Sequence, residues 1–267
     1  MERLSRLGFE VVCITSDYSI KPSFKVYKIP FLFTQLVRGR TPFREILYWL
    51  SQGDNWKVVK KVIDRERPDL IHIQHSYVGF KRDDVRRPIL ITIRDHWPLC
   101  IHRIAWNGRG PCYRCSLNNF IKCRFNYNYC PGGYFKLSSI LFQLELAPIL
   151  YTFIQEVYRY IRAKLEEVDQ IIAVSRYMKE VLVDSLGLKP SHVDVIYHTF
   201  GLDTPRVDSY LEGNSRDRGL TLAFIGRLVF EKGIVNLLYA FKKALKYRRG
   251  LHLYIVGSGP LTSYIQH

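Results

Sequence analysis

The chain has 267 residues, of which 47% are hydrophobic and 24% are charged. These fractions are those of an ordinary globular protein, and they exclude a disordered tail, a collagen-like repeat and a heptad rod. Lysine and arginine exceed aspartate and glutamate by 16, and residues 1–133, with 23 basic and 11 acidic side chains, carry +12 of that excess. A basic half attracts phosphate groups, whether of nucleic acid, anionic lipid or a small molecule, and net charge does not choose among these.

No targeting or spanning segment stands out in the sequence. It has no run of about 18 uncharged apolar residues, the minimum for a spanning helix. The residues after Met1 lack the apolar segment that a secretory signal needs. We therefore expect a cytoplasmic protein.

Short apolar, β-branched runs alternate with amphipathic helices along the chain. The sequence predicts strands at 9–15, 70–73, 89–93, 171–174, 193–197, 220–225 and 251–256, and helices at 54–67, 134–162, 176–186 and 234–248. On the first of these helices Trp56, Val59 and Ile63 share one face. Ser175 is a predicted N-cap, and Gly187 follows the end of the same helix. Apolar strands that alternate with helices are typical of an α/β fold with a parallel sheet covered on both faces.

Polarity along the chain predicts two domains. Residues 201–219 are mostly polar, and the strand–helix–strand pattern begins again at Leu220. We therefore predict an N-terminal Rossmann-like domain over 1–204 with a cysteine-rich insertion at about 97–133, a linker over 205–219, and the start of a second domain over 220–267. We expect the apolar helix face of that second segment to be incompletely covered, because two strands make too narrow a sheet.

The loop from Gly226 to Gly233 joins a predicted strand to a predicted helix. It places Arg227 and Lys232 beside a helix N-terminus, whose amides lack partners. Fixed cations at a helix N-terminus suit a diphosphate. From the residues alone, two solvated loop cations are an equally good interpretation.

Several segments together resemble one enzyme family. The sequences IGRL at 225–228, EKG at 231–233 and IVGSGPL at 255–261 resemble the start of the C-terminal domain of GT4-type glycosyltransferases with the GT-B fold. The sequences RPDLIH at 67–72, TIRDHWPLC at 92–100 and DQIIAVS at 169–175 are similar to the N-terminal domain of that family. The segments occur in the order that the family has.

This resemblance implies an enzyme of the hexosyltransferase type. It would move a sugar from a nucleotide-sugar donor to a saccharide or lipid-linked acceptor, with retention of configuration and without a catalytic cofactor. The donor would lie between two Rossmann-like domains. Carried over residue by residue, Gly226, Arg227 and Lys232 would hold the donor diphosphate, and Gly257 and Gly259 would let the backbone approach the donor.

The chain also departs from the family pattern. Arg94 occupies the position of a family histidine and His96 follows two residues later, so these two are the candidates for a catalytic role. By the family pattern, a first strand would precede Met1 and a pair of donor-binding glutamates would follow Pro260. We therefore expect an N-terminal domain that lacks its first strand, an incomplete C-terminal domain, and negligible transferase activity.

Five of the six cysteines fall within 31 residues. Cys112 and Cys115 have the spacing of a two-thiolate metal knuckle, and Cys100, Cys123 and Cys130 could complete four ligands. The pattern predicts a structural zinc ion. Reduced thiols and disulfides remain open as alternatives.

Two other classes of function compete with the enzyme. A zinc-stapled basic protein could bind nucleic acid, since aromatic and basic side chains interleave over residues 113–129, although we do not expect nucleic acid to be the partner. A non-catalytic remnant of an enzyme is the other alternative. The aromatic-rich segment 134–162 also suggests peripheral contact with an anionic membrane.

Overall fold

The computed structural model describes residues 2–15, 23–29, 55–74, 78–100, 112, 115–125, 137–198, 220–229 and 232–266. The chain divides into two compact units, Met1–His198 and Thr199–His267. The predicted linker over 205–219 lies outside the described residues, so the predicted domain boundaries stay predictions.

A four-stranded parallel sheet forms the centre of the first unit. Its strands, in spatial order, are β3 (Ile71–Ile73), β4 (Ile89–Ile93), β5 (Gln170–Ala173) and β6 (Val193–Val195). Ile73 lies opposite Ile91, and Ile91 lies opposite Ile171. The predicted parallel sheet is confirmed, although several strands are shorter than their apolar runs.

Helices cover this sheet. They are α2 (55–66), α4 (Leu137–Glu166) and α5 (Arg176–Leu186). Trp56 of α2 is buried in the core, with Val59 and Ile63 packed against it, as their shared face predicts. On strand β4 the side chains of Ile89, Ile91 and Ile93 are all buried. Thr92, on the opposite face of the strand, is buried as well, and burial on both faces is what a sheet covered on both sides requires.

Local signals fix both ends of α5. The Ser175 hydroxyl accepts a hydrogen bond from the Met178 N–H at 3.1 Å, which satisfies one of the amides that begin the helix. Gly187 ends the helix in the left-handed region with φ 66°, where a side chain would be strained. The predicted N-cap and the glycine after the helix are both confirmed.

Helix α4 is longer than predicted and contains Pro148. Its second half packs in the core of the first unit through the fully buried side chains of Ile161 and Leu165. Within the part of the chain that the structure describes, no helix is long and apolar enough to cross a membrane. Peripheral contact of this segment with a membrane stays a prediction.

A smaller parallel pair lies at the start of the chain. Helix α1 (Glu2–Arg6) precedes strands β1 (Val12–Thr15) and β2 (Lys25–Lys28), which pair with each other. Glu66, the last residue of α2, accepts hydrogen bonds from Lys25 and from the hydroxyl of Tyr27. The Lys25 ammonium and Tyr27 hydroxyl lower the pKa of this carboxyl, so it remains ionised and holds β2 against α2.

The second unit is a strand–helix–strand. It contains β7 (Thr221–Ile225), α6 (Ile234–Tyr247), β8 (His252–Val256) and the short helix α7 (Thr262–Gln266), and β7 pairs with β8 in parallel. Ile225 is 79% exposed and Tyr254 is 61% exposed. The expected exposure of apolar side chains over 220–267 is confirmed for the described residues.

Candidate functional site

Polar side chains gather where β3 and β4 end. Gln74 is the first residue after β3, and Arg94 is the first residue after β4. Because parallel strands end at the same edge of a sheet, the two residues meet, and an Arg94 guanidinium nitrogen donates to Gln74 Oε1. Both side chains are exposed at this carboxyl edge.

A chain of hydrogen bonds fixes Gln74 in turn. Gln74 Nε2 lies 2.9 Å from the ring nitrogens of His72, and His72 Nε2 lies 2.7 Å from the hydroxyl of buried Thr92. A neutral imidazole forms two of these hydrogen bonds at once when Nδ1 accepts from Gln74 and Nε2–H donates to Thr92. The amide of Gln74 therefore presents its oxygen, rather than its nitrogen, to Arg94.

His72 is held in this neutral form by its surroundings. Although the side chain keeps contact with solvent, packing around the ring lowers the pKa of His72, and the Arg94 guanidinium lowers it further. Both effects disfavour the charged ring. The hydrogen-bond chain from Thr92 through His72 and Gln74 to Arg94 is thus stable at neutral pH.

At the amino edge of the same strands, arginine side chains lie next to carboxylates. There Arg82 donates to the Asp169 carboxylate at 3.1 Å, and Arg87 lies 3.8 Å from the carboxylate of Asp69. Among the residues that the structure describes, Arg94 has no carboxylate at ion-pairing distance and is held by the neutral amide of Gln74. Arg94 therefore keeps its full charge at the carboxyl edge.

His96, the second candidate for a catalytic role, lies in a turn that follows β4. The Asp95 carboxylate accepts from the Trp97 N–H at 2.9 Å, and Trp97 is buried. The His96 ring meets the ring of Tyr177 on α5 edge-on, with centroids 6.0 Å apart. This turn anchors the polypeptide after β4. A catalytic role for Arg94 or His96 stays a prediction.

Two loops of the second unit lie side by side at the carboxyl ends of β7 and β8. The Gly226 N–H donates to the Val256 carbonyl, and the Leu228 N–H donates to the Ser258 carbonyl, each at 3.0 Å. The Leu261 N–H returns a hydrogen bond to the Leu228 carbonyl at 3.1 Å. The two loops are therefore joined by main-chain groups, and we call this arrangement the loop pair.

Glycine is required in the loop pair because the backbones approach closely. A Cβ atom at Gly257 would collide with the Gly226 carbonyl oxygen, and one at Gly259 would collide with the Leu228 carbonyl oxygen. Gly257 also has a φ of 149°, which side chains rarely adopt. The structure thus supplies a packing reason for both glycines, and their predicted approach to a donor stays a prediction.

The two predicted diphosphate ligands lie on either side of this loop. Arg227 follows Gly226 in the loop, Lys232 precedes the start of α6, and both side chains are exposed. Gly233 is the N-cap of α6 at φ 72°, and among the described residues no side chain caps the amides of that helix. The structure brings Gly226, Gly257 and Gly259 together, while contact of Arg227 and Lys232 with a diphosphate stays a prediction.

The cysteine segment is described in part. Burial raises the pKa of the Cys112 thiol, and the charge of the nearby Cys100 thiol raises it further. Cys115 precedes helix α3 (Leu117–Phe125), and its carbonyl accepts a hydrogen bond from the Tyr151 hydroxyl of α4 at 2.9 Å. The backbone of Cys123 is described within α3, whereas its side chain and all of Cys130 lie outside the described residues.

No three potential metal ligands converge on one point among the residues that the structure describes. A zinc ion would therefore have to draw on Cys123 or Cys130 as well. The predicted zinc ligand set stays a prediction.

Comparison with solved structures identifies the fold. A glycosyltransferase from Rickettsia africae matches 99% of this chain with a TM-score of 0.50 and 16% sequence identity. The chain has the fold of a glycosyltransferase. Os79 from O. sativa in complex with UDP matches 99% of this chain with a TM-score of 0.43 and 12% identity. No protein-family model and no curated protein matches the sequence.

The extent of these matches limits what can be carried over. The chain spans 56% of the length of the Rickettsia glycosyltransferase and 70% of the length of Os79. At 16% identity the likeness to the Rickettsia enzyme shows the fold alone.

The group His72, Gln74 and Thr92 was missed in the sequence. A signal existed, since Gln74 and Arg94 are the first polar residues after two apolar strands. What the sequence did not reveal is the register, which puts residues 20 positions apart within hydrogen-bonding distance.

Proposed function

We propose that the protein transfers a sugar from a nucleotide-sugar donor to an acceptor, with the two-domain GT-B layout and with retention of configuration. The observation that carries this proposal is the loop pair with two exposed cations, Arg227 within it and Lys232 just before the N-terminus of α6. The glycosyltransferase fold of the chain is consistent with it.

In the proposed reaction the loop pair holds the diphosphate of the donor. The bond between the anomeric carbon and the diphosphate oxygen breaks, and the acceptor hydroxyl oxygen bonds to that carbon and releases its proton. The negative charge stays on the departing diphosphate. Arg227, Lys232 and the first amides of α6 would stabilise that charge, as fixed donors do at other sites where charge develops.

Nucleoside diphosphate binding tests the proposal directly. Calorimetric titration with UDP, GDP and ADP is expected to give saturable binding for at least one nucleotide. Replacement of a charged hydrogen-bonding group costs about 1.5–3 kcal/mol, so Arg227→Gln and Lys232→Gln should each weaken binding at least about tenfold. Lys242→Gln is the matched control, because Lys242 is an exposed cation in the middle of α6.

The outcomes separate the alternatives. Tight binding of a single-stranded oligonucleotide with a steep salt dependence, and no binding of any nucleotide, would contradict the enzyme and favour a nucleic-acid-binding protein. Nucleotide binding without release of nucleoside diphosphate from UDP-, GDP- or ADP-sugars would leave a non-catalytic remnant.

Structural zinc in the cysteine segment is a separate proposal. It is supported by the electrostatic interaction of Cys112 with Cys100 and by the anchoring of Cys115 to α4. Metal analysis of protein purified without added metal is expected to find stoichiometric zinc, which Cys112→Ser should remove. Cys13→Ser is the control, because Cys13 lies in β1. Metal-free wild-type protein would refute the proposal.

A further inference from the structure

Arg94 differs from the cations that flank the other edge of the same sheet. Arg82 and Arg87 each lie within 4 Å of a carboxylate, which offsets part of their charge. Gln74 holds Arg94 without neutralising it, because an amide oxygen has only a partial charge. A neutral tether orders a guanidinium and leaves its attraction for an anion intact.

The tether also leaves most of the guanidinium available. Arginine has five N–H donors in a planar fork that matches a carboxylate or a phosphate. Within the described part of the chain, Gln74 accepts from a single guanidinium nitrogen and no other hydrogen bond of Arg94 is formed. The Arg94 side chain is exposed, so among the described residues the other donors are accessible.

Hydrogen bonds from strand residues fix the orientation of the Arg94 guanidinium. Buried Thr92 holds His72, and His72 holds the amide of Gln74. Thr92 lies on β4 and His72 on β3, so the tether is built on the rigid sheet. A site held by strand residues keeps its geometry better than one held by a loop.

We propose that Arg94, tethered by Gln74 at the carboxyl ends of β3 and β4, binds an oxyanion, and that this oxyanion is a carboxylate or phosphate group of the sugar acceptor. The binding of an oxyanion is independent of the proposed function, whereas its assignment to the acceptor rests on that function. Arg94 is then a specificity-determining residue that selects acidic acceptors over neutral ones.

Paired probes test the binding step. Calorimetry or ligand-observed NMR compares methyl β-glucuronide with methyl β-glucoside, and glucose 6-phosphate with glucose. The anionic member of each pair is expected to bind more tightly to the wild-type chain. Arg94→Gln should weaken that binding by about 10- to 100-fold, the range for a hydrogen bond to a charged group, and Arg94→Lys should restore part of it.

Matched variants separate Arg94 from general positive charge. Arg87→Gln removes the same charge before β4 that Arg94→Gln removes after it, and should leave binding unchanged. Gln74→Met keeps the length of the side chain but removes the tether, and should weaken anion binding several-fold. Equal loss in the Arg87 and Arg94 variants, or equal binding of neutral and anionic sugars, would overturn the proposal.

Vesicles distinguish the source of the oxyanion. Vesicles of phosphatidylglycerol in phosphatidylcholine are compared with vesicles of phosphatidylcholine alone. If the wild-type chain binds the anionic sugar probes and Arg94→Gln does not, the oxyanion belongs to a soluble acidic acceptor. Binding confined to the anionic vesicles, and abolished by the same variant, identifies a lipid phosphate as the source. Vesicle binding that is the same in the wild-type chain and in Arg94→Gln comes from general positive charge and does not support a role for Arg94.

Nucleotide binding is measured as well, so that the role of Arg94 and the role of the loop pair are tested separately. Arg94→Gln leaves the proposed diphosphate ligands Arg227 and Lys232 in place and should bind nucleoside diphosphates as the wild type does. Intact nucleotide binding without anion selectivity would overturn the inference and leave the proposed function standing. Anion binding at Arg94 without any nucleotide binding would contradict the proposed function and leave the binding of an oxyanion at Arg94 standing.

Discussion

The two candidate sites are built from different parts of the polypeptide. At the carboxyl edge of the first unit, side chains of His72, Gln74 and Arg94 hold one another in place. In the second unit, main-chain groups of Gly226 and Leu228 join the two loops, and the Thr262 hydroxyl bonds to the main chain of Gly259. Consequently, changes of side chain should disturb the first site through lost hydrogen bonds, and the second chiefly where a Cβ atom has no room.

The largest effect is expected from Gly257→Ala. The new Cβ would collide with a carbonyl oxygen of the backbone, which cannot swing aside as a side chain could, at a φ of 149°. We expect a loss of about 3 kcal/mol in the stability of the second unit. All four tryptophans lie in the first unit, so tryptophan fluorescence does not report on the second unit. Hydrogen exchange of the β7 and β8 amides therefore measures this loss of stability.

Gly233→Ala is the control for this change. Gly233 also has a positive φ, of 72°, but nothing lies within 4 Å of a Cβ at that position. It should therefore cost only the strain of the left-handed conformation, about 1–2 kcal/mol. Equal losses for the two variants would show that the loops are not closely packed at Gly257.

A core substitution compares the packing of the two units. Leu182 of α5 is fully buried, whereas Leu245 of α6 is 44% exposed. Leu182→Ala should destabilise the first unit by about 3 kcal/mol, by lost burial and a cavity, and Leu245→Ala should cost the second unit under about 1 kcal/mol. Tryptophan fluorescence in urea follows the first variant, and hydrogen exchange follows the second. A large effect at Leu245 would mean that its helix face is covered in solution.

The Ser175 cap gives a smaller effect in the first unit. Ser175→Ala removes the acceptor for the Met178 amide and should cost about 1 kcal/mol. Ser175→Asn, which keeps an accepting oxygen at the N-cap, should recover most of that loss. Urea unfolding monitored by tryptophan fluorescence measures both, and equal stability of the two variants would show that the hydroxyl has no capping role.

The smallest effect is expected from the pH dependence that His72 confers. Its pKa in the folded chain is below the ordinary value of 6.5, so the unfolded chain takes up a proton first as the pH falls. Stability should therefore decrease from about pH 6.5 down to the folded-state pKa and then level off. His72→Gln should flatten this slope, while replacement of exposed His252 in the second unit should leave it unchanged. Unfolding midpoints across that pH window measure the slope, and a slope unchanged in His72→Gln would contradict the assignment.

Features set by neighbouring residues were predictable from the sequence. The apolar run of β4, the cap at Ser175 and the glycine after α5 each depend on a few adjacent residues, and all three were predicted. The hydrogen bond of Arg94 to Gln74 depends on the register of two strands, which no local pattern specifies. The loop pair likewise depends on Gly226 and Gly257 meeting from opposite ends of a helix. Local propensity carries no information about such contacts.

The main-chain construction of the loop pair has a consequence for variation. The hydrogen bonds that join the loops use the amides and carbonyls of residues 226, 228, 256, 258 and 261. Because every residue except proline offers the same main-chain groups, substitution of exposed Ser258 can keep these hydrogen bonds while changing the side chain that the loop presents. The surface of the loop pair at this position can thus vary while the scaffold that presents it is inherited intact.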